Sequence, residues 1–170
     1  MTHKFLYPLI LFLFLFATGV NAKKLDLSPA EVFIALLSQH LTYPQMNAVE
    51  AYAKAFEFKD VPENMQMMLN SNKSYAKQTT HNGILIIGYN VNSPIAIAIQ
   101  EAFDIQKTLT ELSGFVSLKH RGEFSELGQK TVLKEMFSNG KSIGFVFISY
   151  GEAKQIKGSG SIAFLKQLPK

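Results

Sequence analysis

Two continuous apolar runs constrain this chain more than any other feature in it. Gly83 to Tyr89 reads GILIIGY, and Ser142 to Tyr150 reads SIGFVFISY. The first is bounded by His81-Asn82-Gly83 and by Asn90 to Pro94, and the second follows Asn139-Gly140. Short apolar runs between turn residues are what strands buried on both faces look like. A shorter third strand is expected in GSIAFLKQL, and another in GFVSLKHR, ahead of Gly122.

The segments between and before these strands read as helices. SPAEVFIALLSQHL opens with a capping residue, Ser28, a proline suited to the first helical position, Pro29, and Glu31, which closes a capping box. Val32, Phe33, Leu36, Leu37 and Leu41 follow at helical spacing. A second helix is expected from Pro44, burying Met46, Val49, Ala53 and Phe56, and a third from about Pro62 to Asn70. NSPIAIAIQEAFDIQKTL is ambiguous. Ile95, Ile97 and Ile99 alternate with alanine as a strand would, yet Ser93-Pro94 is a helix start and alanine is poor in strands. Helix is the expectation there, and again over Ser125 to Ser138, ended by Asn139-Gly140. No internal repeat is legible. The expected fold class is α/β (or α+β): a small mixed sheet of about four strands with the N-terminal helices packed on it. Strands joined through helices favour parallel neighbours, while the last pair, joined around Gly158-Ser159-Gly160, suits an antiparallel hairpin.

Residues 1–22 read as an export signal. His3 and Lys4 are followed by an apolar run from Leu6 to Phe16, and Val20 and Ala22 stand at small-residue cleavage positions. The run is shorter than the roughly 20 residues of a membrane span. Residues 23–170 are then expected to form one globular domain, helical over 28–71 and mixed α/β over 75–168. The expected location is periplasmic or secreted. There are no cysteines. Disulfide scaffolds and thiolate metal sites are therefore excluded, and stability has to come from packing. Neither a cofactor nor a metal is expected.

The net charge is +4. It is uneven, with six basic and eight acidic residues over 23–104 against ten and five over 105–170. A basic half attracts anionic partners. A single arginine, Arg121, among so many lysines argues against nucleic acid, where arginine's bidentate contacts dominate.

That arginine lies in LKHRGEF, Leu118 to Phe124. Strand alternation puts Phe115, Ser117, Lys119 and Arg121 on one side and Val116, Leu118 and His120 on the other, with Gly122 turning the chain and Glu123 leading a helix. Lys119, His120 and Arg121 are the ligand-binding candidates, the arginine suiting a carboxylate or phosphate. His120 and Glu123 are the catalytic candidates, which need a further carboxylate such as Asp104 brought in by the fold. Met46, Met65, Met67 and Met68 suit core packing better than copper, and His40, His81 and His120 lack zinc-site spacing. The Gly88 loop lacks a phosphate-binding glycine pattern.

These observations favour an exported binding or interaction protein whose partner is a protein or a small anionic ligand. Two alternatives stand beside it. One is a small exported hydrolase using His120 and Glu123. The other is a secreted protein that binds anionic membrane or host surfaces through Lys119, Lys130, Lys134 and Lys141 on one face.

Overall fold

A computed structural model describes residues 26–62, 71–80, 83–100, 103–154 and 158–168. Among the described residues, three helices, α1 (Pro29–Thr42), α2 (Ala48–Ala55) and α3 (Ile105–Phe115), accompany eight strands. The strands are β1 (Lys59–Asp60), β2 (Lys73–Gln78), β3 (Ile84–Tyr89), β4 (Ile95–Gln100), β5 (Ser117–Glu126), β6 (Gln129–Ser138), β7 (Lys141–Gly151) and β8 (Gly160–Leu165). They form one sheet in the order β1-β2-β3-β4-β8-β7-β6-β5, antiparallel at every junction.

The expectation of about four strands in a mixed, partly parallel sheet is therefore wrong. Four strands were not expected, β1, β2, β4 and β6, and two of them stand where helices were expected. Ile95 to Gln100 is a strand, with Ile95, Ile97 and Ile99 buried towards the helices and Ala96 and Ala98 on the opposite face. The apparent helix start at Ser93-Pro94 is a closed loop instead. Asn90 Oδ1 accepts from the Asn92 and Ser93 amides, and the Ser93 hydroxyl donates to the Ile95 and Phe164 carbonyls. The second segment, Ser125 to Ser138, is not a helix. It holds the end of β5, a two-residue turn at Leu127-Gly128, and β6. Both turn residues have positive φ, as do Asn139 and Gly140 in the next turn. That is the backbone that two-residue hairpins demand. Asn139-Gly140 thus marks a hairpin and not a helix end. The last pair, β7 with β8, is the antiparallel hairpin expected from Gly158-Ser159-Gly160.

The sequence expectations hold best at α1. Ser28 and Glu31 form the capping box, and Ala30, Val32, Phe33, Leu36 and Leu37 are buried. α2 starts later than Pro44, at Ala48, capped by Asn47. Val49 and Ala53 are buried as expected, but Met46 and Phe56 are exposed. The third expected helix, with its methionines, lies outside the described residues.

α1 lies across β4 and β8, α2 against β3 and α3 against β5. The core joins α1 and α2 to Leu85, Ile87, Ile97, Ile162, Ile148 and Val146, all on one face of the sheet. Ala76, Ile86, Ala98, Leu133 and Phe147 stand on the other face by strand alternation.

One row of residues crosses all eight strands: Asp60, Tyr75, Ile87, Ile97, Ile162, Ile148, Val132, Glu123. It is symmetric about the Ile97–Ile162 pair. An acidic residue ends it on each side, and four isoleucines occupy its centre. The neighbouring pairs follow the same rule, Lys73 opposite Tyr89 in one half and Lys130 opposite Tyr150 in the other. The sheet is therefore two four-stranded meanders related by a pseudo-twofold axis between β4 and β8, each preceded by a helix. ILIIGY of β3 and FVFISY of β7 occupy equivalent places. The chain does contain a repeat, at the level of register.

Two glycines are required by their surroundings. Gly144 has φ +140° at an irregularity in the β6–β7 register, and a side chain there would meet the Phe164 ring and the Leu165 carbonyl. Gly160 lies directly beneath the Phe103 ring, whose nearest atom would stand 2.3 Å from an added Cβ. Gly160→Ala is expected to cost about 1–3 kcal/mol in a urea unfolding experiment. Phe103→Ala should relieve part of that loss in the double variant, and additive effects of the two substitutions would show that the ring is not what Gly160 accommodates.

Candidate functional site

The LKHRGEF segment is the middle of β5, the strand that ends the sheet. One side of β5 pairs with β6, and no described strand pairs with the other. Eight of its ten residues are exposed, all but Leu118 and Gly122. Gly122 does not turn the chain, and Glu123 does not lead a helix, because the strand runs on to Glu126.

The register explains where each charge goes. Leu118 and His120 lie opposite Met136 and Lys134, on the helix-bearing face, while Lys119 lies opposite Glu135 on the other. A bulge follows, since His120 faces Lys134 and Gly122 faces Leu133, leaving Arg121 as the extra residue. The alternation expected from the sequence holds up to this bulge and is shifted by one beyond it. Glu123 therefore returns to the helix-bearing face, opposite Val132.

The bulge aims Arg121 across the pair of strands. Its Nε donates to Glu135 Oε2 at 2.7 Å, and a second guanidinium nitrogen donates to the same oxygen. The Glu135 side chain is only 9% exposed, so this carboxylate depends on its partners. Hydrogen bonding from Ser142, then from Arg121, holds its pKa below the usual 4.5. Glu123 pairs with Lys130 at 3.0 Å. Hydrogen bonding and charge from Lys130 lower the Glu123 pKa, and Glu123 raises that of Lys130 in return.

The structure thus brings Arg121 and Glu123 into cross-strand ion pairs. It does not gather Lys119, His120 and Arg121 around one ligand position. Lys119 and His120 project to opposite faces. His120 is near enough for its charge to lower the Glu123 pKa, but no hydrogen bond joins it to a carboxylate among the described residues. Asp104, the carboxylate that the hydrolase reading needs, caps α3, accepting from the Gln106 and Lys107 amides at 2.9 and 3.0 Å. Lys130 and Lys134 share the helix-bearing face, opposite to Lys119.

The other candidates fall elsewhere. His40 is in the last turn of α1, where the helix dipole favours a cation. It packs edge-on against Phe164 instead, and burial, followed by the charge of Lys166, lowers its pKa. His81, Met65, Met67 and Met68 lie outside the described residues. Among the described residues no three metal-ligating acidic or histidine side chains come together. No described helix is long and apolar enough to cross a membrane. An open depression of about 600 Å³ at the α1–α2 corner is lined by Thr42, Tyr43, Pro44, Gln45 and Met46, and no β5 residue contributes to it.

Sequence reasoning missed the counterpart of this edge in the first half. Asp60 and Lys73 occupy the places of Glu123 and Lys130, with Tyr89 in that of Tyr150. There Lys73 stands over the Tyr75 ring at 5.1 Å, and the Tyr89 hydroxyl donates to Glu50 at 2.5 Å, which pushes its pKa up to about 12. The signal that would have revealed it is the lysine fifteen to twenty residues ahead of a tyrosine that closes an apolar strand, at Lys73 to Tyr89 and again at Lys130 to Tyr150.

Neither a family model, a curated protein nor a solved structure matches this chain.

Glu135 and Glu123 both have folded pKa values below 4.5, so their contribution to stability is complete above that pH and is lost as pH falls through the lowered values. Glu135→Gln should therefore flatten the decline of the urea midpoint between about pH 5 and pH 3. A variant with the parent's acid slope would show that the Arg121–Glu135 pair contributes nothing to stability.

Proposed function

We propose that this chain is an exported interaction protein that acts by binding, and that its binding surface is the β5 edge. The observation that carries the reading is the edge itself. Nine of its ten residues pair with β6 on one side, and no described strand pairs with the other. Such an edge accepts an added strand, with main-chain hydrogen bonds supplying affinity and alternate side chains supplying specificity.

Its charges support binding over catalysis. An acid–base pair has to be free to exchange protons with a substrate. Here Glu123 is held by Lys130, and Arg121 is committed to Glu135. The leader of residues 1–22 supports export, with its apolar run and small-residue cleavage positions. The partner is a protein segment in extended conformation, presented outside the cytoplasm.

Strand addition makes a backbone-level demand that other binding modes do not. Synthetic decapeptides with a basic half followed by an acidic half are the probes. Some are expected to bind with micromolar affinity by calorimetry and to slow amide hydrogen exchange in β5. N-methylation of one alternate set of peptide amides should abolish binding, and methylation of the other set should leave it intact. Binding indifferent to both sets, or no slowing of exchange in β5 with any peptide, would remove the edge as the binding surface.

A further inference from the structure

We infer that the segment which adds to β5 is the β5 strand of a second copy of this chain, paired antiparallel about a twofold axis. This rests on the reading of the β5 edge as the binding surface and names the partner.

The first argument is charge. β5 is mostly polar, with Phe124 its one exposed large apolar side chain, and it carries Lys119, His120 and Arg121 in its first half and Glu123 and Glu126 in its second. A strand of this kind opposes itself when aligned in parallel and complements itself when aligned antiparallel. Arg121 and Glu123 are already matched within the sheet, by Glu135 and Lys130. Lys119 and Glu126 have no ion-pair partner among the described residues. A positive charge therefore stands near one end of the edge and a negative charge at the other.

The second argument is register. Lys119 and Glu126 are seven residues apart, and in an unbroken strand they would point to opposite faces. The extra residue at Arg121 changes that. Lys119 lies opposite Glu135 and Glu126 opposite Gln129, and those two β6 residues are six apart, on one face. The bulge thus places Lys119, whose nearest opposite charge is the Glu135 already held by Arg121, and Glu126 on the same side of the sheet. In an antiparallel pair of β5 strands in this register, Lys119 of each copy meets Glu126 of the other, twice over, while Glu123 meets its own copy on the axis, where each carboxylate is already held by its own Lys130. Opposite charges directly across a strand pair are stabilising.

The third argument comes from the molecule's own symmetry. β1 is the pseudo-equivalent of β5, and it is two residues long. The first half is completed with that short edge, so the fold itself does not demand a ten-residue strand at β5. Long exposed edges invite uncontrolled pairing unless they are consumed. A twofold β5–β5 contact consumes both, leaves only the two short β1 edges, and closes the assembly as an isologous dimer.

The test is a charge exchange on protein recovered from an exporting host that expresses the whole chain. Sedimentation equilibrium should show a dimer. Lys119→Glu and Glu126→Lys should each raise its dissociation constant about tenfold, because each sets two like-charge pairs across the axis. An equimolar mixture of the two single variants should form the heterodimer, detected by native mass spectrometry, since both cross-strand pairs are then opposite in sign. Recovery in the mixture also shows that neither variant has lost its fold. A dimer indifferent to both substitutions, or variants that fail to recover when mixed, would overturn the second-copy assignment. A monomer at every concentration that still binds the decapeptides overturns it too and leaves the edge reading standing. A monomer that binds no peptide removes both.

Discussion

The structure depends on one junction, the pairing of β4 with β8. Every other strand pair joins neighbours in the chain, and this one joins segments more than sixty residues apart. Its central pair, Ile97 with Ile162, is the middle of the row that runs from Asp60 to Glu123. Without it the chain would form two four-stranded meanders, each too small to bury much apolar surface alone. With it, Ile97 and Ile162 offer α1 a single surface. α1 lies across both strands, and Phe33, Leu36 and Leu37 are wholly buried there. The Ser28 hydroxyl, at the helix start, donates to Glu111 of α3 at 2.7 Å and ties the seam to the second half. In a chain without cysteine, this apolar seam takes the place of a covalent link between the halves.

The sequence was legible where one physical signal acted alone. α1 carried a cap, a proline and an apolar stripe, and all three agree with the structure except at Leu41, the end of the stripe, which is exposed. β3 and β7 carried apolar runs too short for a helix between turn residues. Legibility failed where two signals overlapped. In β6, Val132, Leu133, Met136 and Phe137 recur at the spacing of a helical stripe, because adjacent residues face the two opposite sides of the sheet and both sides carry apolar groups. In β4 the low strand preference of alanine was set against the alternation of isoleucine. The alternation prevailed because β3 and β8 flank the strand and satisfy its backbone on both sides. Local propensity could not reveal those neighbours.

The candidate site shows the same division. The sequence singled out LKHRGEF as the stretch that holds the one arginine and placed Lys119 and His120 on opposite faces, as the register has them. What it lacked was the partners. Glu135 and Lys130 lie on the strand that had been expected to be a helix, so neither ion pair could be seen in advance. The bulge at Arg121 is invisible to alternation by its nature, since one extra residue shifts every later side chain to the other face. Glu123 reaches Lys130 only because of that shift.

The duplicated register also separates what the fold requires from what is particular to one half. Features that appear in both meanders belong to the architecture: the acidic residue that ends the central row, the lysine opposite a tyrosine, and the isoleucines at the seam. They recur where the two halves face different surroundings, so sheet geometry is sufficient to explain them. By the same reasoning, Glu123 and Lys130 are poor witnesses to chemistry, because Asp60 and Lys73 repeat them. The features without a counterpart are the length of β5, the bulge, and Arg121 with its buried acceptor Glu135. An edge strand interrupted by a bulge and rich in charge is protected against indiscriminate pairing. Protection alone, however, is achieved in the first half by ending the strand after two residues. If β5 accepts a strand as proposed, a long edge with a bulge within it restricts which strand can join and in what register. The Arg121–Glu135 contact pins that bulge, and so fixes the face on which every charge from Glu123 to Glu126 is displayed.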